Sequence, residues 1–138
     1  MSPGTERRGA VGRWRDEHAV LLCDGEPIAP LEIAASYRAR SRGLLGRDGI
    51  EGAILLTPSN GVHTVRMCFP IEVAFLTKDL RVLSIVRMRA NRIGMLRLRA
   101  RHVLEAEWDR FAGWGVRPGA RLGVGESRDF PGVAGRTG

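Results

Sequence analysis

The stretch GVHTVRMCFPIEVAFL, residues 61–76, sets His63, Met67, Cys68 and Glu72 into a run that otherwise has the composition of a buried strand. An imidazole near a carboxylate can work as an acid and base pair, and with sulfur ligands it can hold a metal ion. If 62–69 is extended, His63 shares a face with Val65, Met67 and Phe69, while Thr64, Arg66 and Cys68 point the other way. Pro70 lacks an N–H for the ladder, so it marks a bulge or break and resets the parity. Beyond it Ile71, Val73 and Phe75 fall on one face, and Glu72, Ala74 and Leu76 on the other. A histidine on an apolar face is ordinarily a hydrogen-bonded core residue, and a carboxylate amid apolar neighbours has to be paired, because burying it alone costs too much. The favoured reading is therefore structural: His63 and Met67 shape the core, Pro70 turns the strand, and Glu72 finds an arginine, with Arg42 or Arg47 the nearest guesses. The alternative is a small metal-dependent or acid/base hydrolase with Glu72 as general base and His63 as ligand or acid. No regular ligand spacing supports a metal site, and no cofactor motif is present.

A second group is cationic. Between Leu80 and Leu104 stand Arg81, Arg87, Arg89, Arg92, Arg97, Arg99 and Arg101 without a single acid, which equals the formal excess of +7. VRMRA and LRLRAR alternate strictly, so Arg87 and Arg89 would project from one strand face and Arg97, Arg99 and Arg101 from another. As neighbours, two such strands would make a patch suited to carboxylate, phosphate or sulfate, which guanidinium forks bind through paired hydrogen bonds. The plainer reading is a solvated face whose arginines pair with Glu51, Glu105, Glu107 or Asp109.

The elements that must position these residues are mostly strands, with turn residues at the intervals of an antiparallel β domain. HAVLLC (18–23) stops at Asp24-Gly25. LEIAAS (31–36) follows the Pro27 and Pro30 punctuation, and AILLTP (53–58) ends at Pro58. RVLSIVRM (81–88), HVLEAEW (102–108) and ARLGVG (120–125) continue the series. SYRARSRGLLGR breaks it, with Ser36 as a candidate N-cap and Gly46 as a stop, and predicts one short helix near 37–46. A helical turn is expected near 109–114. The fold class is thus mainly β (α+β), an antiparallel barrel or sandwich of about seven to eight short strands. Residues 1–15 and 125–138 read as flexible tails around a single domain over 16–124.

The totals bound the partners. Of 22 basic residues only Lys78 is a lysine, and aromatics are 6%. A skew so strong toward arginine, without an RNA-binding signature, speaks against nucleic acid and leaves an anionic small ligand or a protein. Cys23 and Cys68 are too few and too far apart for a disulfide scaffold or a metal knuckle; two buried thiols are the plain reading, and one disulfide stays open. No run reaches membrane-spanning length, and no signal peptide or lipobox is seen, so the expectation is a cytoplasmic monomer or weak dimer.

RGLLGR at 42–47, AILLTP, VHTVRMCFPIEVAFLTKDLRVL at 62–83, VLEAEW at 103–108 and WGVRPGARL at 114–122 together resemble the bacterial and archaeal domain-of-unknown-function family 192, from about Ile33 to Leu122. The resemblance implies a small β-rich single domain, of a kind often exported, with no established reaction, cofactor or substrate. Its signature positions fall on Arg42, Gly43, Leu44, Arg47, His63, Thr64, Met67, Pro70, Ile71, Glu72, Phe75 and Glu105. The chain departs from the pattern at Glu72, where Asp is usual, and near Gly123, where Gly-Asp is usual. An extra methylene at a reacting or ligating carboxylate would move its oxygen by more than catalytic geometry tolerates, which weighs against an enzyme. The expected function is a non-catalytic binding or accessory module, with a shallow groove near Arg42, His63 and Glu72 and an anion-recognising face built from Arg42, Arg47, Arg87, Arg89, Arg97 and Arg99. A component of a secretion or cell-surface assembly is a further alternative.

Overall fold

The computed structural model describes residues 14–62, 69–89, 95–126 and 128. Strand β1 (Glu17–Cys23) turns through Asp24 and Gly25, both at positive φ, into β2 (Glu26–Ala34). An Asp-Gly pair suits this tight hairpin because both central residues need the left-handed region. The second strand starts earlier than Leu31 and includes both prolines. Pro27 and Pro30 precede the point where β3 (Ala53–Leu56) joins, so this part of β2 has a ladder on one side only, as proline requires.

Between β2 and β3 lies helix α1 (Tyr37–Arg42). Ser36 caps it by accepting from Ala39 N–H at 3.1 Å, and Gly43, at φ +47°, ends it with its own N–H on Ala39 O. The stop is therefore Gly43, three residues before the Gly46 expected from sequence, since Gly43 is the first residue able to leave the helix through positive φ without a Cβ penalty. The helix carries the chain back so that β3 runs parallel to β2, the one parallel pair among the described strands. Gly52 permits the contact, for a Cβ there would collide with Pro30 O.

The chain continues through β4 (Gly61–Val62), β5 (Ile71–Leu76), β6 (Val82–Met88), β7 (Met95–Leu96), β8 (His102–Glu107), helix α2 (Arg110–Trp114) and β9 (Leu122–Gly125). Seven strands form one sheet in the order β6-β5-β8-β3-β2-β1-β9, and β4 pairs with β7 separately. The sheet curls until its two outer strands approach, where Arg81 bridges Arg121 and Leu122 N–H reaches Leu80 O at 2.9 Å. The result is a half-barrel, the mainly β architecture anticipated.

Each face has its own core. The concave side buries Leu21, Leu31, Leu55, Leu76, Leu104 and Phe111. The convex side buries Ile54, Leu56, Phe69, Val73, Phe75 and Val103 beneath Leu44 and Ala39 of the α1 region. The parity after Pro70 is as anticipated, since Ile71, Val73 and Phe75 belong to the convex core while Ala74 and Leu76 belong to the concave one. Trp14, assigned by sequence to the N-terminal tail, packs on the concave core and meets the His102 ring edge-on at 5.4 Å.

The alternating arginines do not form paired strands. β6 pairs with β5 and β7 with β4, and after Leu96 the chain turns, with Ala100 N–H on Arg97 O. Arg97, Arg99 and Arg101 therefore share no strand face. Leu98, between them, is 84% exposed; with no core behind it, alternation has nothing to orient.

Candidate functional site

Glu72 is 5% exposed and enclosed by partners. It projects from β5 to the concave side, opposite Arg87 of β6 and Ala106 of β8. Arg87 Nε donates to one carboxylate oxygen at 3.3 Å, and Phe111 N–H at the start of α2 donates to the other at 3.1 Å. Arg87 also engages Asp109 and lies 5.2 Å above the Trp108 ring. The expected arginine is therefore present, but it is Arg87, where the sequence pointed to Arg42 or Arg47. Those two lie with α1 over the convex face, and the sheet separates them from Glu72. Among the described residues no groove joins Arg42 to Glu72, and His63, the third residue of the expected groove, lies outside them.

Arg47 is committed elsewhere. Its two guanidinium nitrogens grip Glu32 of β2 at 2.7 and 2.9 Å. This fork pulls the Glu32 carboxyl below the usual carboxylate range and raises Arg47 further.

At the opposite end of the concave core, Thr57 Oγ1 meets His102 Nδ1 at 2.6 Å and His102 Nε2 reaches Lys78 O at 3.3 Å. A carbonyl can only accept, so Nε2 carries the proton and Nδ1 accepts from the Thr57 hydroxyl. Burial lowers the His102 pKa and keeps the ring neutral. Thr57 is wholly buried, which makes this a sealed packing contact.

The convex face is different. Glu105 of β8 stands opposite Ile54 on β3 and Val73 on β5, and so points with them toward α1. It is 3% exposed, and among the described residues nothing donates to it or pairs with it. Desolvation alone pushes its pKa up to about 8, so the carboxyl is protonated at neutral pH. It lines a cavity of about 210 Å³ with Leu44, Leu45, Leu56, Ser59 and Arg42. A larger hollow of about 410 Å³ lies on the other side of the helix end, lined by Ser36, Arg38, Arg42, Arg47, Glu32 and Asp16 among others.

Arg42 and Gly43 wall both hollows. Of the acids nearby, Glu32 is held by Arg47 and Asp16 by three donors, namely the Ala35 and Ser36 N–H groups and the Ser36 hydroxyl, at 2.7–2.8 Å. Those bonds keep the Asp16 carboxyl below its ordinary range. Arg40 is turned onto Ala35 O and Pro58 O. Arg38 and Arg42 are exposed and make no hydrogen bond or ion pair among the described residues. Arg87 is spent on Glu72, Arg97 lies 5.2 Å over the Phe75 ring, and Arg89 and Arg99 are exposed at the end of β6 and in the turn after β7. His63 lies outside the described residues, as do Thr64, Met67 and Cys68. Among the described residues no cluster of three His, Cys, Asp or Glu side chains could hold a metal ion.

The family model described as DUF192, Uncharacterized ACR, COG1430, matches residues 20–124. The chain belongs to this family. Among curated proteins none matches it. Its fold is similar to that of a proposed transcription regulator from Sinorhizobium meliloti, at a TM-score of 0.70 and 17% identity over 82% of this chain and 98% of the other. It is also similar to a protein of unknown function from Novosphingobium aromaticivorans, at 0.67 and 17% over 86% and 98%. At this identity the likeness concerns the half-barrel alone. Among the described residues no helix of this DUF192 domain is long and apolar enough to cross a membrane.

Sequence reasoning missed Glu105 as a site residue. Its alternation with Leu104 and Ala106 reads as a solvated face opposite a buried one, and only the α1 segment folding over that face turns Glu105 inward. Its place among the family's signature positions was the available signal.

Proposed function

We propose that this DUF192 domain is a non-catalytic binding module that takes a small anionic ligand on the convex face, at the C-terminal end of α1. The observation that carries this reading is Arg42, a guanidinium engaged by no described residue and shared by two adjacent hollows. Arg38 stands beside it on the same helix, and of the three acids around the larger hollow, Asp16, Glu17 and Glu32, Glu32 is paired with Arg47 and Asp16 is held by the Ser36 cap and not by an arginine. That leaves Arg38 and Arg42 as the guanidiniums of this hollow with no described partner, and their planar forks suit a carboxylate, phosphate or sulfate. The buried carboxylate on the concave side is held by Arg87 and a backbone N–H, so it offers no free base for hydrolysis.

Sulfate and phosphate titrations of labelled protein at constant ionic strength test the reading. Amide shifts confined to the Ser36–Gly43 segment and Ile54, and lost in the Arg38→Ala/Arg42→Ala double variant, are the expected result. Equal shifts in that variant, or shifts spread over every exposed arginine, would remove the assignment.

A further inference from the structure

The smaller hollow contains a feature that anion binding at Arg42 does not require. Its floor is Glu105, withdrawn from water and unpartnered among the described residues, and its walls are Leu44, Leu45 and Leu56. A buried polar group without a partner costs free energy comparable to a lost hydrogen bond, unless something fills the cavity and completes it. We propose that this cavity is a site for a small monocarboxylate with an apolar body, held at the rim by Arg42 and at the floor by a hydrogen bond from the Glu105 carboxyl. This rests on the reading that the convex face takes anions, and it adds the chemical class of ligand.

Size, polarity and proton state agree. An apolar cavity of about 150 Å³ accepts benzene, so about 210 Å³ accommodates a ring or short chain bearing one carboxylate. The leucines suit the ligand's body, while one cation and one hydrogen-bond donor match its charged end. Protonated, Glu105 supplies that donor; ionised, it would face the ligand's carboxylate as a like charge. The charged and titratable groups around it from α1 are Tyr37, Arg40 and Arg42. From β8 there is Glu107, which accepts from Ile50 N–H and pairs with Arg110. The facing residues of β3 and β5 are Ile54 and Val73, both apolar. Among these only the cations Arg40 and Arg42 favour ionising Glu105; Arg40 is turned onto Ala35 O and Pro58 O, and a carboxylate ligand would occupy Arg42. A cationic ligand would demand the reverse, an ionised Glu105 and no arginine at the rim.

Benzoate and hexylammonium are the probes, titrated calorimetrically into the full-length protein at pH 6.5 and 9.5. Benzoate should bind at pH 6.5 and weaken by about tenfold or more at pH 9.5, as Glu105 loses its proton. In Glu105→Gln, whose amide still donates, benzoate affinity should persist and lose its pH dependence. Arg42→Ala, at an exposed position that leaves the core intact, should weaken benzoate about tenfold at both pH values. Hexylammonium binding that tightens with pH would overturn the proposal, as would a benzoate pH profile unchanged in Glu105→Gln. If sulfate perturbs Arg42 and benzoate does not bind, the monocarboxylate site fails while the anion-binding face stands. If neither binds, both fail.

Discussion

Glu72 and Glu105 sit on neighbouring strands, β5 and β8, and are equally withdrawn from water, yet the fold has completed only one of them. Glu72, on the concave side, has Arg87 on one oxygen and Phe111 N–H on the other. Glu105, on the convex side, has apolar neighbours and a hollow. Burial alone therefore does not mark a functional carboxylate. A carboxylate with a donor on each oxygen supplied by the fold belongs to the architecture. One that stays protonated for lack of an answer is poised for something brought from outside.

The difference is sharpest in how stability follows pH. The unfolded Glu105 ionises near 4.5 and the folded one near 8. Below 4.5 both forms are neutral and the folded state bears no penalty. Between the two values the unfolded chain loses its proton first, so stability falls as pH rises; above about 8 both are ionised and the decline ends. Across this window the loss is roughly 3–5 kcal/mol. Denaturant melts of wild type and Glu105→Gln from pH 4 to 9 should show that slope in the wild type alone. Parallel curves would mean that Glu105 is answered after all.

Glu72→Ala should come next, at about 2–3 kcal/mol by equilibrium unfolding at neutral pH. It strands Arg87 and the Phe111 N–H, and the figure stays below that of a sealed ion pair because Arg87 is itself half exposed. Glu72→Ala should leave benzoate and sulfate affinity unchanged in the folded protein; lost affinity at unchanged stability would reverse the two carboxylates' roles. Arg47→Ala, which opens a half-exposed but bidentate pair, should cost about 1 kcal/mol. Because Glu32 has a lowered pKa, that contribution is present above about pH 4.5 and lost as pH falls through the folded value. The smallest effect is reserved for Arg99→Ala in the exposed turn, within about 0.5 kcal/mol and without influence on anion binding.

Much of this is legible in the amino-acid sequence. Asp24-Gly25 announced the first hairpin, Ser36 the helix start, and Pro70 the parity that sends Glu72 away from Val73. That Glu72 would need an arginine also followed from residue type. Which arginine did not, for a reason of register: the β5–β6 pairing slips at Phe75/Leu76, so Glu72 meets Arg87 only after an offset that no turn residue signals. The regular LRLRAR repeat misled in the opposite way, because strand periodicity has meaning only where one face is covered, and Leu98 is not. Glu105 was hidden by the same logic reversed. Locally it is one of two acids on one face of a strand, and it becomes interior only because Leu44 and Leu45 are folded over it from some sixty residues upstream in the chain.

Asp16 gives that overlying segment a tether. Its carboxylate grips the Ala35 and Ser36 amides and the Ser36 hydroxyl, so the residue just ahead of β1 holds the N-terminal end of α1 like a peg, while Gly43 sets the far end. The helix bearing Arg38 and Arg42 is thus suspended between two fixed points instead of resting on a broad apolar stripe, none of its own six residues being buried. Pulling the peg, by acid or by replacing Asp16 alone, would leave the curled sheet standing and let the roof of both hollows swing.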